Sequence, residues 1–277
     1  MHAGSCTASR TGAAMIRVQV LPCGSTRVDE ALPFSDRSKN PLAFTGLFRG
    51  EQHKVDVPVR AYLIEHPKGL FLVDTGWDTA IRMDARKYEG FFNYFASPGV
   101  LPKGEGVVDQ LSDLHLSVSD LSRVLLTHMD IDHAGGIGLV RNVPRIQCSA
   151  AEWDAANKAN PRYLKRLWKG IPLTTFPDRE VDLTGDGTLT AIPMHGHSAG
   201  MTAFRVGTRE HYVLIAGDAG YGRHSFDAQV LPGVEWNRKE TAKSLKRLRD
   251  FALDPCCEAV LMTHDPECPK MTYEISE

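Results

Sequence analysis

The chain has 277 residues, of which 42% are hydrophobic, and it carries 32 Lys and Arg against 34 Asp and Glu, a formal net charge of −2. This balance excludes the strongly basic composition typical of nucleic-acid-binding proteins. No apolar run approaches the ~20 residues of a membrane-spanning helix. We therefore expect a globular protein with a sizeable core that acts on a small molecule, with neither nucleic acid nor a membrane as its partner.

The N-terminus and the cysteines indicate where the protein works. Residues 1–14 are small and polar and lack the apolar core of a signal peptide, so they are predicted to be a disordered lead-in. Residues 15–277 are predicted to form a single domain. The six cysteines contain no C-x-x-C pair, which favours reduced thiols in a cytoplasmic protein and no catalytic cysteine.

The predicted domain begins with sequence patterns typical of strands. Residues 16–21 are predicted to be the first strand, and residues 22–50, rich in Pro, Gly, Ser and charge, a long loop or flap. Residues 57–65 and 69–73 form two further apolar runs separated by three turn-forming residues, the pattern of a β-hairpin. The second of these runs ends at Asp74.

An aromatic, loop-prone insertion follows over residues 77–106. It either walls an apolar substrate pocket or forms a satellite hydrophobic cluster. Residues 107–116 are predicted to be helical, residues 119–122 a turn, and residues 124–126 a buried strand.

Four side chains that can bind a divalent metal come directly after this strand, within six residues: His128, Asp130, Asp132 and His133. Imidazole nitrogens and carboxylate oxygens are ligands of borderline and hard divalent metals. Side chains two apart in extended backbone point the same way, so His128 and Asp130 can share one ion while the next two serve another. Two such ions would lie roughly 3.5–4 Å apart. Four ligands are too few for two ions, which predicts more His and Asp at other strand ends.

The middle of the chain is predicted to alternate strand and helix. Residues 145–148 form a short strand, and Ser149 caps a helix through Asn157, with Glu152 at the capping-box position. Another helix is predicted over residues 161–168.

The last part contains four predicted strands and one amphipathic helix. The strands are residues 189–192, 203–206, 212–216 and 259–262. The helix covers residues 240–251. Polar residues follow three of the strands, at His197, Asp218 and His264, where ligand sites of mixed α/β proteins assemble.

These motifs resemble those of the metallo-β-lactamase superfamily. They are, in chain order, Asp74-Thr75-Gly76, the run from His128 to Gly136, Gly196-His197-Ser198, Gly217-Asp218 and Thr263-His264-Asp265. The resemblance covers nearly all of the chain from about Ile16 onward. It implies an α/β fold, a four-layer αβ/βα sandwich of two mixed sheets with outer helices and with the metals at one edge.

The resemblance also implies a ligand for each metal position. The sets are His128, Asp130 and His197 for one ion, Asp132, His133 and His264 for the other, and Asp218, with a hydroxide, as the bridge between them. Asp74 would support the site without binding. The ions would be two divalent metals, zinc first, with iron or manganese as alternatives. One departure stands out, because Asp130 replaces the second His of the family's His-x-His-x-Asp-His pattern and adds negative charge to the first site.

Within the superfamily the chain is most similar to the N-acyl homoserine lactonase group. The similarity lies in the helix-then-strand lead-in over residues 110–124, in Asp218-Ala219-Gly220-Tyr221 and in His264-Asp265. It implies a quorum-quenching hydrolase, monomeric or homodimeric, that opens a lactone by attack of the metal-bridging hydroxide. Tyr221 would contact the substrate carbonyl, and Asp132 would help move a proton to the leaving alkoxide.

Three alternatives stay open at this point. The same centre serves thioester, phosphodiester and β-lactam hydrolases. A di-iron redox protein is the second alternative, because flavin-linked di-iron relatives also have a carboxylate at the position of Asp130, although they usually carry a flavin domain after the last ligand. A binding protein without activity is the third, and the nearly complete ligand set speaks against it.

Overall fold

The computed structural model describes residues 15–268 and 271–276, so the predicted lead-in over residues 1–14 lies outside the described residues. The strands are β1 (Met15–Asp29), β2 (Lys54–His66), β3 (Gly69–Val73), β4 (Gly99–Val100), β5 (Leu121–Leu125), β6 (Ile146–Ser149), β7 (Leu173–Phe176), β8 (Val181–Asp182), β9 (Leu189–Pro193), β10 (Thr202–Gly207), β11 (Tyr212–Gly217), β12 (Cys257–Met262) and β13 (Thr272–Ser276). The helices are α1 (Ile81–Glu89), α2 (Phe91–Ala96), α3 (Val107–Asp113), α4 (Ile131–Ala134), α5 (Ala150–Ala156), α6 (Arg223–Asp227) and α7 (Arg238–Leu253).

The strands form two mixed sheets. The first has the order β13-β1-β2-β3-β5-β6-β7, with β4 paired to β1, and the second has the order β12-β11-β10-β9-β8. β3, β5, β6 and β7 run parallel to one another, and β11 and β12 are parallel to each other. Parallel neighbours bring their carboxyl ends to the same edge of a sheet, and this edge carries the polar residues discussed below.

The alternation of side chains along each strand builds the layers. In β11, Val213 and Ile215 lie in the apolar core between the two sheets, whereas Leu214 points to the opposite face. That outer face is covered by Leu245 and Leu248 of α7. Successive residues of a strand face opposite sides, so a strand buried on both faces is apolar throughout, as β11 is.

The outer face of the first sheet is covered in the same way. Leu63 of β2 and Val124 of β5 pack with Ile81 of α1, Leu111 of α3 and Ile131 of α4. Helix, sheet, sheet and helix therefore follow one another, and the predicted four-layer αβ/βα sandwich is confirmed. No helix in residues 15–268 or 271–276 has both the length and the apolar character needed to span a bilayer.

Two predicted boundaries were wrong because of long-range pairing. The loop predicted from Pro22 is strand as far as Asp29, since β1 continues past a bulge and pairs with β2 up to the Asp29–Lys54 partners. β12 is not the last strand, because β13 pairs antiparallel with the start of β1, Met15 opposite Ser276.

The helix predicted over residues 161–168 was also wrong. Only Lys165–Leu167 forms a single 3-10 turn, because Arg162 and Tyr163 turn inward instead of lying on a helix face. Both side chains hydrogen-bond to groups around the polar edge.

The insertion over residues 77–106 carries α1 and α2. Trp77 and Tyr88 are buried in the core beneath it, whereas Phe91 and Phe92 on α2 are 65% and 74% exposed. For Trp77 and Tyr88 the structure supports the packing interpretation of this insertion.

Candidate metal centre

The predicted metal ligands meet at one edge of the sandwich, where both sheets end. The residues that reach this edge are Asp74 after β3, His128 to His133 after β5, His197 after β9, Asp218 after β11 and His264 after β12. Each follows a strand with hydrogen-bonded neighbours on both sides, except that β12, before His264, is the edge strand of the second sheet. The first sheet supplies the ligands of the central motif, and the second sheet supplies the other three.

We name His128, Asp130 and His197 the first half-site. The ligand atoms of these three side chains all lie within 4.8 Å of one another. Asp130 Oδ2 is 3.3 Å from His128 Nε2 and 3.1 Å from His197 Nε2. The group is therefore tight enough for its three donor atoms to face one ion.

We name Asp132, His133 and His264 the second half-site, which meets the same distance limit. Asp132 Oδ2 lies 3.3 Å from His264 Nε2. Asp218 stands beside this group, with Oδ1 3.1 Å from His133 Nε2 and Oδ2 3.2 Å from His264 Nε2. Its Oδ2 is also 3.6 Å from His197 Nε2, so Asp218 faces both half-sites.

The four histidines share one orientation, with Nε2 toward the cluster and Nδ1 away from it. The Nδ1 contacts are His128 with Thr127 Oγ1 at 3.0 Å, His133 with Asp74 Oδ2 at 2.8 Å, His264 with the Pro58 carbonyl at 2.7 Å and His197 with Tyr221 Oη at 3.5 Å. An outer partner on one ring nitrogen fixes the tautomer and orients the other nitrogen, as is typical of metal-binding histidines.

Several atoms that face the cluster are buried without a hydrogen bond. Within the described residues, His128 Nε2, His133 Nε2 and Asp218 Oδ1 have no hydrogen-bond partner, and these three side chains also form a ligand group of their own. A buried polar atom left unsatisfied costs about 1–3 kcal/mol, so native proteins rarely leave three together. Imidazole and carboxylate atoms in this arrangement fit a divalent metal.

The electrostatics of the cluster favour a cation. Burial opposes ionisation of Asp218, yet the adjacent His264 and His133 hold its pKa well below the usual range. Burial also opposes a charge on His264, but Asp218 and Asp132 raise its pKa to about 10. The carboxylates are therefore ionised and draw positive charge toward them, which a divalent ion would supply more fully than protonated imidazoles.

Asp74 holds the metal-facing residues in place from behind. Its backbone has φ 60°, a left-handed conformation that a non-glycine residue rarely adopts. The buried carboxylate accepts hydrogen bonds from the Thr127 backbone N–H and hydroxyl, both at 2.8 Å. With its contact to His133 Nδ1, it fixes the orientation of that imidazole.

One glycine allows the His197 loop to pack closely. Gly196 has φ +136°, and a Cβ there would lie 2.3 Å from the Thr241 backbone on α7. Only glycine accommodates both the backbone conformation and this approach. The position of His197 thus depends on contact between its loop and α7.

Glu152 is a site residue that sequence reasoning assigned only to a helix cap. The Ser149 hydroxyl accepts from the Glu152 N–H at 3.1 Å, as predicted, but the Glu152 carboxylate turns toward the metal-ligand loops. It accepts four hydrogen bonds, from the Met129 N–H at 2.9 Å, the Tyr163 hydroxyl at 3.2 Å, the Ser198 hydroxyl at 2.6 Å and the Gly200 N–H at 2.9 Å. One buried carboxylate thereby joins the loop of His128 to the loop of His197.

Tyr221 lies inside the cluster. Its hydroxyl donates to Asp218 Oδ2 at 2.9 Å, and its ring stacks on His264 with the centroids 5.4 Å apart. Burial and the charge of Asp218 raise its pKa well above the ordinary value. The phenol therefore stays protonated and available as a donor.

Arg162 is the second site residue that sequence reasoning missed. Its guanidinium makes two 2.5 Å hydrogen bonds to the Asp130 carboxylate, and its Nη1 donates to the His197 carbonyl at 2.7 Å. Burial works against a charged Asp130, yet Arg162 holds its pKa well below the usual range. The replacement of a neutral His by Asp130 was the sequence signal, because a buried carboxylate needs a cation nearby.

His195, adjacent to this loop, does not join the cluster. Its Nε2 lies 2.8 Å from Asp178 Oδ1, and both side chains are partly exposed.

Comparison with known proteins identifies related sequences. Residues 55–256 match the family model described as the metallo-beta-lactamase superfamily. The N-acyl homoserine lactonase AttM of Agrobacterium fabrum is 30% identical over 229 residues, which cover 79% of this chain and 86% of that protein.

Solved structures share the fold. An N-acyl homoserine lactone hydrolase with the product N-hexanoyl-L-homoserine at its catalytic metal centre has a TM-score of 0.75 at 22% identity, covering 91% of this chain and 94% of its own. AidC, a dizinc quorum-quenching lactonase in complex with a product, has a TM-score of 0.65 at 17% identity and covers 97% of both chains. At these sequence identities, the structural similarity shows that the fold is shared.

Proposed function

Since this chain belongs to the metallo-β-lactamase superfamily and is a metal-dependent hydrolase, we propose that it hydrolyses the ester bond of a lactone such as an N-acyl homoserine lactone. The observation that carries the proposal is the convergence of four Nε2 atoms and three carboxylates at one sheet edge. The similarity to AttM, a lactonase by name, supports the lactone as substrate. Such an activity would make the protein a quorum-quenching enzyme.

The proposed ligands are the two half-sites together with Asp218 between them. Zinc is the proposed metal, because imidazole and carboxylate donors suit it and the structural relative AidC is described as a dizinc enzyme. Iron and manganese remain the proposed alternatives. Divalent ions held there would polarise a substrate carbonyl and lower the pKa of a water molecule.

Asp132 is proposed to carry a proton to the leaving alkoxide. Its side chain is 18% exposed whereas that of Asp218 is 3% exposed, so Asp132 is the more accessible carboxylate of this pair. Burial opposes its ionisation, but the neighbouring His133 and His264 lower its pKa. It is therefore ionised near neutral pH and can accept a proton before passing it on.

Tyr221 is proposed to donate a hydrogen bond to the oxygen that becomes negative during ring opening. Replacing Tyr221 by Phe is expected to lower kcat about tenfold to a hundredfold, the range corresponding to loss of one donor to a charged group. Metal content should stay at the wild-type value, because Phe preserves the stacking on His264. Unchanged kcat in the metal-replete Phe variant would leave Tyr221 with a packing role only.

The proposed function is tested by a lactone-opening assay on metal-replete protein. Ring opening releases a proton at neutral pH, so a pH-stat follows it directly with an N-acyl homoserine lactone as substrate. We expect turnover that chelation abolishes and zinc restores. Parallel assays with a thioester, a phosphodiester and a β-lactam, and of oxygen consumption by iron-loaded protein, cover the alternatives. Turnover of one of these, with none of the lactone, would contradict the proposal.

A further inference from the structure

A side-chain cation lies within the first half-site. Arg162 Nη2 is 2.5 Å from Asp130 Oδ2 and 2.7 Å from His197 Nε2. These are two of the three donor atoms that would hold an ion there. A guanidinium can only donate hydrogen bonds, so both atoms present lone pairs to Arg162.

A metal ion and Arg162 cannot share His197 Nε2. The unprotonated Nε2 of an imidazole has one lone pair, and on His197 it points to Nη2. Both oxygens of Asp130 also accept from Arg162, Oδ1 from Nε and Oδ2 from Nη2, so the positive guanidinium lies beside the carboxylate that an ion would need. An ion can bind all three donor atoms of the first half-site only after the guanidinium withdraws from His197.

The guanidinium is held firmly where it lies. The forked pair with Asp130 is the strong, bidentate type of ion pair, and both side chains are largely buried, at 20% and 17% exposed. Arg162 also lies over the ring of Tyr163, 5.7 Å from its centroid, and its backbone N–H donates to Asn160 Oδ1 at 3.0 Å. Displacing it would leave the Asp130 carboxylate without its partner charge in a largely buried position, which is unfavourable.

The second half-site has no comparable occupant. Across residues 15–268 and 271–276, the ion pairs of Asp132 and Asp218 are to histidines alone, with no Lys or Arg among them. The two half-sites therefore differ. In the first, the charge of Asp130 is neutralised by Arg162, whereas in the second the carboxylates have no Lys or Arg partner among the described residues and can bind an external cation.

We propose that Arg162 takes the place of a metal ion in the first half-site. The centre then binds one divalent ion tightly, through Asp132, His133, His264 and Asp218, and binds a second only weakly, in competition with the guanidinium. The pair of Asp130 and Arg162 is neutral overall, like the imidazole that the family pattern places there. This inference rests on the proposed metal centre but not on the identity of the substrate.

The test is the number of zinc ions bound per chain. Apo protein is titrated with zinc by isothermal calorimetry, and elemental analysis after dialysis against zinc-buffered solution gives the content at fixed free zinc. For the wild type we expect one tightly retained ion. For Arg162→Met, which keeps an unbranched, flexible side chain but removes the charge, we expect two, the second binding at least about tenfold more tightly than in the wild type.

Two further variants keep the test decisive. Arg162→Lys preserves the positive charge but not the two parallel hydrogen bonds to Asp130. Its affinity for the second zinc ion should lie between those of the wild type and Arg162→Met. Arg166→Met is the matched control, because Arg166 lies over Tyr88, 5.4 Å from its centroid, outside the half-site. It should bind zinc as the wild type does.

Two tightly bound zinc ions of similar affinity in the wild type would overturn the inference. So would an affinity for the second zinc ion that is unchanged in both Arg162 variants. Failure of the proposed function looks different. One tight ion without lactone turnover would leave the unequal half-sites standing, whereas no zinc binding by any of the proteins would remove both proposals.

Discussion

Replacing Asp218 by Ala is expected to lower lactone turnover at least about a thousandfold, equivalent to about 4 kcal/mol of transition-state stabilisation. The carboxylate lies 3.1 Å from His133, 3.2 Å from His264 and 3.6 Å from His197, so it faces both half-sites. Its loss removes a proposed ligand and the acceptor of Tyr221. Measurements of kcat and of zinc content in the same preparation test this.

The matched control is Asp227→Ala. Asp227 is an exposed carboxylate that pairs with Arg223 on α6, and its removal should change neither quantity. Wild-type turnover in an Asp218→Ala protein would refute the assignment of Asp218 to the reacting centre. A loss of zinc without loss of turnover would show that the reaction does not depend on the bound zinc.

Replacing Glu152 by Ala is expected to lower the free energy of unfolding by about 3–5 kcal/mol, because four buried donors would lose their acceptor. The variant should also bind zinc more weakly, since the loops of Met129 and Ser198 are joined through this carboxylate. Urea denaturation of the apo protein measures the first effect, and a zinc titration measures the second.

Two comparisons sharpen the Glu152 experiment. Glu152→Gln keeps an oxygen acceptor and should lose about half as much stability, since its amide group cannot accept from the donors on that side. Asp154→Ala changes an exposed carboxylate on the same helix and should leave both measurements unchanged. Stability loss with normal zinc affinity would restrict Glu152 to a role in folding.

The side chains that meet at the polar edge could be predicted from sequence because each follows an apolar strand. Such strands have a pattern that can be recognised locally, and ligands at their carboxyl ends must come together once the sheets form. The family prediction is confirmed by the match over residues 55–256, and the four-layer fold by the two sheets with their outer helices. His128, Asp218 and His264 lie at the edge where their strands end.

Arg162 and Glu152 could not be predicted in the same way. Arg162 belongs to a segment whose composition suggests a helix, and its inward turn is stabilised by Asp130, 32 residues earlier in the chain, and by the carbonyl of His197. Glu152 already had a sufficient local explanation as part of a helix cap. The strand β13 was missed for a related reason, since it is held by pairing with β1 at the other end of the chain.

The position of His264 links stability to metal supply. This residue comes from the second sheet, yet its Nδ1 donates to the carbonyl of Pro58 in the first sheet, and an ion at the second half-site would have ligands from both. Such an ion would stabilise the folded protein in proportion to the logarithm of its free concentration. The lifetime of the enzyme in a cell would then depend on the local concentration of the ion. When the ion is scarce, the protein would be both inactive and more often unfolded, and therefore more readily degraded by proteases.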